Sequence, residues 1–153
     1  MPDASVRTLQ RIAAPPARVW AYLGDPARLV GLNPDLLELL DLTPAGPLQA
    51  GQHWTERQRT PLGTQQVRTR VALLDAATGR IRLDGAGPLG LHIAGDLQVR
   101  PAGTETEVSL ENRLSLPGGP LLGGTALAVL AGQVRAGSRA ALIRLAAAVA
   151  ATP

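Results

Sequence analysis

Two histidines, His53 and His92, and twelve carboxylates are the groups in this chain of 153 residues from which acid–base or metal chemistry would be built. Their spacing builds little of it. No set of His and carboxylates stands at metal-ligand spacing, so no metal site is expected. There is no cysteine, which removes thiolate chemistry and a disulfide framework. No Ser-His-Asp order or Walker motif is present, and "GAGPLG" (85–90) lies between two strand-like segments, so it is a turn rather than a phosphate cradle. No cofactor is expected.

A few polar groups on apolar faces remain. Glu56 shares a strand face with Trp54 and Gln58, and the turn "TPLGT" (60–64) decides where that face points. A five-residue loop aims Glu56 outward at Arg68, as a surface ion pair. A four-residue loop turns Trp54, Glu56 and Gln58 inward and keeps Arg57 and Arg59 off the apolar side; that register is favoured. An inward carboxylate in a dry pocket is a candidate general acid or base, because desolvation favours its neutral form. Asn112 lies on the apolar face of Leu110 and Leu114, facing Gly95, where it either anchors a ligand or bonds backbone at a bulge. His92 falls on a charged face opposite Asp84, as a solvated pair. Trp20 is expected in the core and Tyr22 at a cavity mouth.

The elements that must hold these groups are punctuated by proline and alternation. "SVRTLQRIAA" (5–14) reads as a first strand that stops at Pro15-Pro16. "PPARVWAYL" then forms a short helix ended by Gly24, Asp25 caps a second that begins at Pro26, and the signal recurs at Asn33-Pro34. Two or three short helical turns are expected there. From Leu36 to Leu116 apolar and charged residues alternate with period two, the pattern of an antiparallel sheet covered on one side.

Charge pairing sets a register for three successive hairpins. Centring "DAATG" on Ala77 places Arg70 opposite Asp84, Val71 opposite Leu83 and Leu73 opposite Ile81. Centring "AGPLG" on Pro88 places Leu83 opposite Ile93 and Arg80 opposite Asp96. A loop at 101–106 places Arg100 opposite Glu107 and Leu97 opposite Leu110. "PGGPLLGG" (117–124) breaks the alternation, and a long helix over 126–151 follows with an apolar stripe of Leu127, Leu130, Val134, Ser138, Leu142, Leu145 and Val149. That helix carries Gly132 and Gly137, each costing about 0.5–1 kcal/mol relative to Ala in a helix interior. Such small residues fit a helix that closes a cavity rather than a solid core. Gly85 and Gly95 bend the sheet, leave room for a ligand, or do both.

This order of elements resembles the helix-grip fold of the START, Bet v 1 and polyketide-cyclase superfamily (SRPBCC), over Val6 to Val149. The stretch "IAAPPARVWAYLGDPARLVGLNP" looks like that superfamily's opening, although Leu32 stands where members often have Trp shortly before the second proline. "DGAGPLG", "TETEVSLENRLSLPGGPLLGG" and the Ala-rich helix are similar, more narrowly, to the subunit-G proteins associated with carbon monoxide dehydrogenase. The resemblance implies an α+β protein: a single domain over 1–153, with a curved antiparallel sheet of about seven strands wrapped on a long C-terminal helix and two short helices after the first strand. It also implies a hydrophobic cavity for a small lipophilic molecule such as a lipid, a quinone or a polyketide-like compound. Residues expected to line it are Trp54, Val71, Leu83, Ile93, Asn112, Leu114, Leu130, Val134 and Gly137, with Gly132 adding volume and Glu56 the one candidate for catalysis. The alternatives are a cyclase or dehydratase acting in the same cavity and an accessory subunit, with a homodimer or a larger complex as the assembly.

Composition narrows the remaining classes. All fifteen basic residues are arginine, the formal net charge is +3, and the arginines are scattered singly with few aromatics between them. Nucleic-acid binding, which calls for a concentrated basic stripe, is not expected. No secretory signal or run of about 20 apolar residues is visible, so a cytoplasmic protein without a transmembrane segment is expected.

Overall fold

The computed structural model describes residues 3–61, 63–118 and 122–152, without the side chains of 122 and 123. Residues 119–121, in the middle of the glycine-proline break, and Leu62, in the turn after Pro61, lie outside the described residues. Strand β1 is Asp3–Ile12, and the two short helices are α1 (Pro16–Leu23) and α2 (Pro26–Gly31). Then come β2 (Leu36–Thr43), β3 (His53–Thr60), β4 (Gly63–Asp75), β5 (Arg80–Ala86), β6 (His92–Ala102), β7 (Glu105–Ser115) and the long helix α3 (Leu122–Ala151). Every pairing is antiparallel, in the order β1-β7-β6-β5-β4-β3-β2. The strands from β2 to β7 form a meander, and β1 closes on its far edge, so α1 and α2 must carry the chain from one edge of the sheet to the other.

The prolines act as expected at the helix starts. Pro16 and Pro26 occupy first-turn positions where a missing N–H costs nothing, and Asp25 accepts from Ala27 N at 3.0 Å. The third signal yields a turn, not a helix: Asn33 Oδ1 accepts from Asp35 N at 2.9 Å and the chain enters β2 at once.

Local hydrogen bonds revise two hairpins. Asp75 Oδ1 accepts from Ala77 N and Thr78 N, so Asp75 pairs with Arg80 across a shorter loop than expected. A bulge between Val71 and Leu73 then restores the expected pairs Val71–Leu83 and Arg70–Asp84. Leu74, and not Leu73, therefore stands opposite Ile81 and packs on the core. In the next hairpin Gly87 N bonds Leu91 O, which centres the turn on Leu89 rather than Pro88. Leu83 faces Gly95 instead of Ile93, and Arg80 faces Gln98 instead of Asp96. The slip is of two residues, so every side chain keeps its face. Arg80 still reaches Asp96 diagonally, with Nε 2.9 Å from Oδ1, while His92 stands exposed opposite Ala86 rather than Asp84. The last hairpin has the expected pairs Arg100–Glu107 and Leu97–Leu110.

The inward face packs into two apolar clusters. The larger joins α1 and α2 (Val19, Leu23, Leu29) to Ile12, Trp54, Val71 and Val108 and to Ala141, Leu142, Leu145 and Val149 of α3. The smaller joins Val6, Leu114 and Leu116 to Leu127 near the other end of α3. The stripe expected on α3 faces inward, and Arg135, Arg139 and Arg144 face water. Arg18 of α1 donates from Nη2 to the carbonyls of Val149 and Thr152 at the C-terminal end of α3, placing a cation where the helix dipole favours one.

Candidate functional site

Between the sheet and α3, where the two clusters separate, lies a pocket of about 430 Å³. The sheet contributes alternate residues from β3 to β7, because period two turns every second side chain inward: Glu56 and Gln58, Val67, Ile81 and Leu83, Ile93, then Leu110, Asn112 and Leu114. Helix α3 contributes residues at helical spacing, among them Leu130, Gln133, Val134, Gly137 and Ser138. The link from α2 to β2 contributes Asn33 and Asp35. At the rim stand Leu89, 80% exposed in the β5–β6 turn, and Val129, 54% exposed on α3.

The β3–β4 register is the inward one. Glu56 pairs with Val67 and Trp54 with Thr69, which puts Trp54, Glu56 and Gln58 on the inner face. Glu56 is 7% exposed, and both its carboxylate oxygens are held: Trp54 Nε1 donates to Oε1 at 2.9 Å and Gln58 Nε2 to Oε2. Asp35 is tied to the helix, its Oδ2 accepting from Gln133 Nε2 at 3.2 Å, and the same Nε2 donates to Arg59 O at 2.9 Å. Across the pocket Asn112 Nδ2 donates to Ser138 Oγ at 2.9 Å, a strut from β7 to α3. Of the two roles open to Asn112, backbone bonding at a bulge is therefore replaced by a bond to the helix. A Cβ on Gly85 would stand 3.2 Å from Val67 Cγ1, and one on Gly95 3.0 Å from Asn112 Oδ1. These two glycines line the pocket and also make room for their neighbours' side chains.

Seven of the nine residues expected on the wall lie there: Leu83, Ile93, Asn112, Leu114, Leu130, Val134 and Gly137, together with Glu56. Trp54 and Val71 do not. They share the inner face but fall at the end that α1 and α2 fill, where they are buried at 2% and 0% exposure in the main core. Gly132 also departs from expectation, because it lies on the exposed side of α3 and adds no volume. Tyr22 is not on the pocket wall; its ring lies under Arg28, with Cζ 4.9 Å from the centroid. Asp35 and Gln133 were not foreseen. Gln133 follows Leu130 by three positions and so borders the stripe, which is a usable signal; Asp35 reaches the site only through the Asn33 turn and tertiary packing.

Neither histidine lies on the pocket wall, and among the described residues no group of three or more His, Asp or Glu is placed to hold a metal ion. No helix among them is long and apolar enough to cross a membrane.

A curved antiparallel sheet gripping one long helix, with a pocket between them, defines a helix-grip protein. The sequence matches the family described as polyketide cyclase / dehydrase and lipid transport over residues 3–150, and the chain belongs to that family. Similar solved structures include the Zhui aromatase/cyclase from Streptomyces sp. R1128, with TM-score 0.81, 18% identity, and coverage of 97% of this chain and 94% of that one. TTHA0849 from Thermus thermophilus has TM-score 0.76 and 20% identity, covering 97% of this chain and 98% of the other. A truncated norcoclaurine synthase from Thalictrum flavum has TM-score 0.73 and 13% identity, covering 99% and 96%. At such identities the likeness is one of fold. No curated protein matches the sequence.

Proposed function

We propose that this chain binds a small lipophilic molecule in the pocket between its sheet and α3, as a soluble cytoplasmic protein. The supporting observation is the pocket itself: about 430 Å³ walled largely by Leu, Ile and Val, with a few polar groups placed among them. Apolar burial at roughly 25 cal/mol per Å² supplies the attraction, and Asn112, Glu56 and Asp35 orient the ligand. Native mass spectrometry of the purified protein, followed by organic extraction, tests this, together with titration by the neutral probe N-phenyl-1-naphthylamine. The expected result is one bound molecule or one probe site per chain, with affinity lowered at least tenfold in a folded Leu83→Trp variant. An empty protein that takes up no probe would overturn the reading. A copurifying partner protein in the same spectrum would favour the accessory-subunit role instead.

One observation favours a second reading, acid–base chemistry of the cyclase or dehydratase kind. Glu56 lines the pocket with its carboxylate held in place by Trp54 and Gln58, as a positioned general base would be. Cyclisation of a poly-β-ketone substrate that is lost in Glu56→Gln, with binding retained, would establish it.

A further inference from the structure

The charges of this molecule are sorted by side of the sheet. None of the fifteen arginines lines the pocket, and neither does either histidine. The charged residues on its wall are Asp35 and Glu56, both carboxylates. Among the described residues neither takes part in an ion pair: the arginine–carboxylate contacts involve Asp25, Glu38, Asp96 and Glu111. Nor are the carboxylates capped from within by cations. They are steadied by the neutral donors Trp54 Nε1, Gln58 Nε2 and Gln133 Nε2. Trp54 Nε1 and Gln133 Nε2 are thereby spent on the protein and Gln58 Nε2 keeps a single further N–H, whereas each carboxylate oxygen they hold has a second lone pair to offer. The pocket is thus rich in acceptors, and both ionisable side chains on its wall are acidic.

We infer that the pocket selects amphiphiles whose polar end donates hydrogen bonds and carries no negative charge, a primary ammonium above all and a hydroxyl next, and that it rejects carboxylates such as fatty acids. The inference rests on the proposed ligand-binding reading and names the ligand class for that site. An ammonium group finds an acidic side chain without an arginine partner, at Asp35 or at Glu56. A hydroxyl supplies one donor to an acceptor that can take it. A ligand carboxylate meets like charge in a site where apolar walls screen little, and no arginine is there to receive it.

The test is displacement of N-phenyl-1-naphthylamine by decylamine, decanol and decanoate at neutral pH, three ligands with one chain length and different ends. Decylamine, protonated at that pH, is expected to compete at least tenfold better than decanoate, with decanol between them. The ranking runs against the bulk field, since a formal net charge of +3 draws anions toward the molecule. Asp35→Asn with Glu56→Gln, near-isosteric changes checked for fold by circular dichroism, is expected to bring the ratio to within about twofold; the wild-type ranking stands as evidence even where the double variant does not fold. Probe that binds but yields to decanoate as readily as to decylamine overturns the inference and leaves the ligand-binding reading standing. A ratio that persists in the folded double variant also overturns it. Failure of the probe to bind at all overturns the ligand-binding reading and this inference with it.

Discussion

Asp96 lies on the outer face of the sheet between two arginines, with Arg80 bonded to both its oxygens and Arg82 Nη2 3.8 Å from Oδ2. The hydrogen bond from Arg80 holds its carboxyl below the usual 3.8, against the opposing effect of desolvation. A carboxylate lowered in the folded state contributes stability in full above its ordinary value and loses it as pH falls through the lower folded value. Asp96→Asn should therefore cost about 1 kcal/mol near neutral pH, the upper end for an ion pair that water still reaches. The gap to the wild type should close as pH falls below 3.8. Urea melts of both proteins at about pH 7 and in steps down to about pH 3 measure it, and a gap that stays constant would refute the assignment. The contact was legible from charge alone, although the expected register was not: a two-residue slip turns a directly opposed pair into a diagonal one, and long arginine side chains span either. Glu56 was legible for a similar reason, since only one register keeps Arg57 and Arg59 in water.

Helix α3 separates two uses of glycine that look alike in sequence. A Cβ on Gly132 meets nothing within 4 Å, whereas one on Gly137 stands 3.8 Å from Asp35 Oδ2, an ordinary contact at the pocket wall. Alanine at either position removes backbone freedom from the unfolded chain and should stabilise by about 0.5–1 kcal/mol. For a chain of this size that corresponds to roughly 1–4 °C in Tm. Calorimetry should show both gains, while probe affinity should change in Gly137→Ala alone; an equal effect of Gly132→Ala on affinity would misplace the helix. The stripe of α3 and the alternation of the strands were legible because burial on one face demands them. The position of each inward residue along the sheet was not, and that is why Trp54 and Val71 were assigned to the pocket. Period two assigns a face, but only tertiary packing shows that α1 and α2 fill one end of it and leave the other open.

At the scale of the whole molecule, the sheet holds the two halves of α3 differently. The C-terminal half is built into the main core through Ala141, Leu142, Leu145 and Val149, and Arg18 ties its end to α1. The N-terminal half spans the pocket, held by Leu127 in the smaller cluster and by the Gln133–Asp35 and Asn112–Ser138 bonds. Local opening energies follow buried apolar contact, so amides in 126–134 should exchange faster than those in 141–149. A molecule in the pocket replaces the missing contacts under the N-terminal half and adds little beyond Leu142, the last residue of α3 on the wall. With N-phenyl-1-naphthylamine at about 100 times its Kd, linkage limits the added protection to about 2.7 kcal/mol, a roughly 100-fold slowing. Hydrogen exchange with and without probe should therefore show slowing concentrated in 126–134. Equal slowing along the whole helix would mean that the probe stabilises the fold globally. No slowing in 126–134 would place the probe elsewhere, and the gap between sheet and helix would then be a feature of packing rather than a binding site.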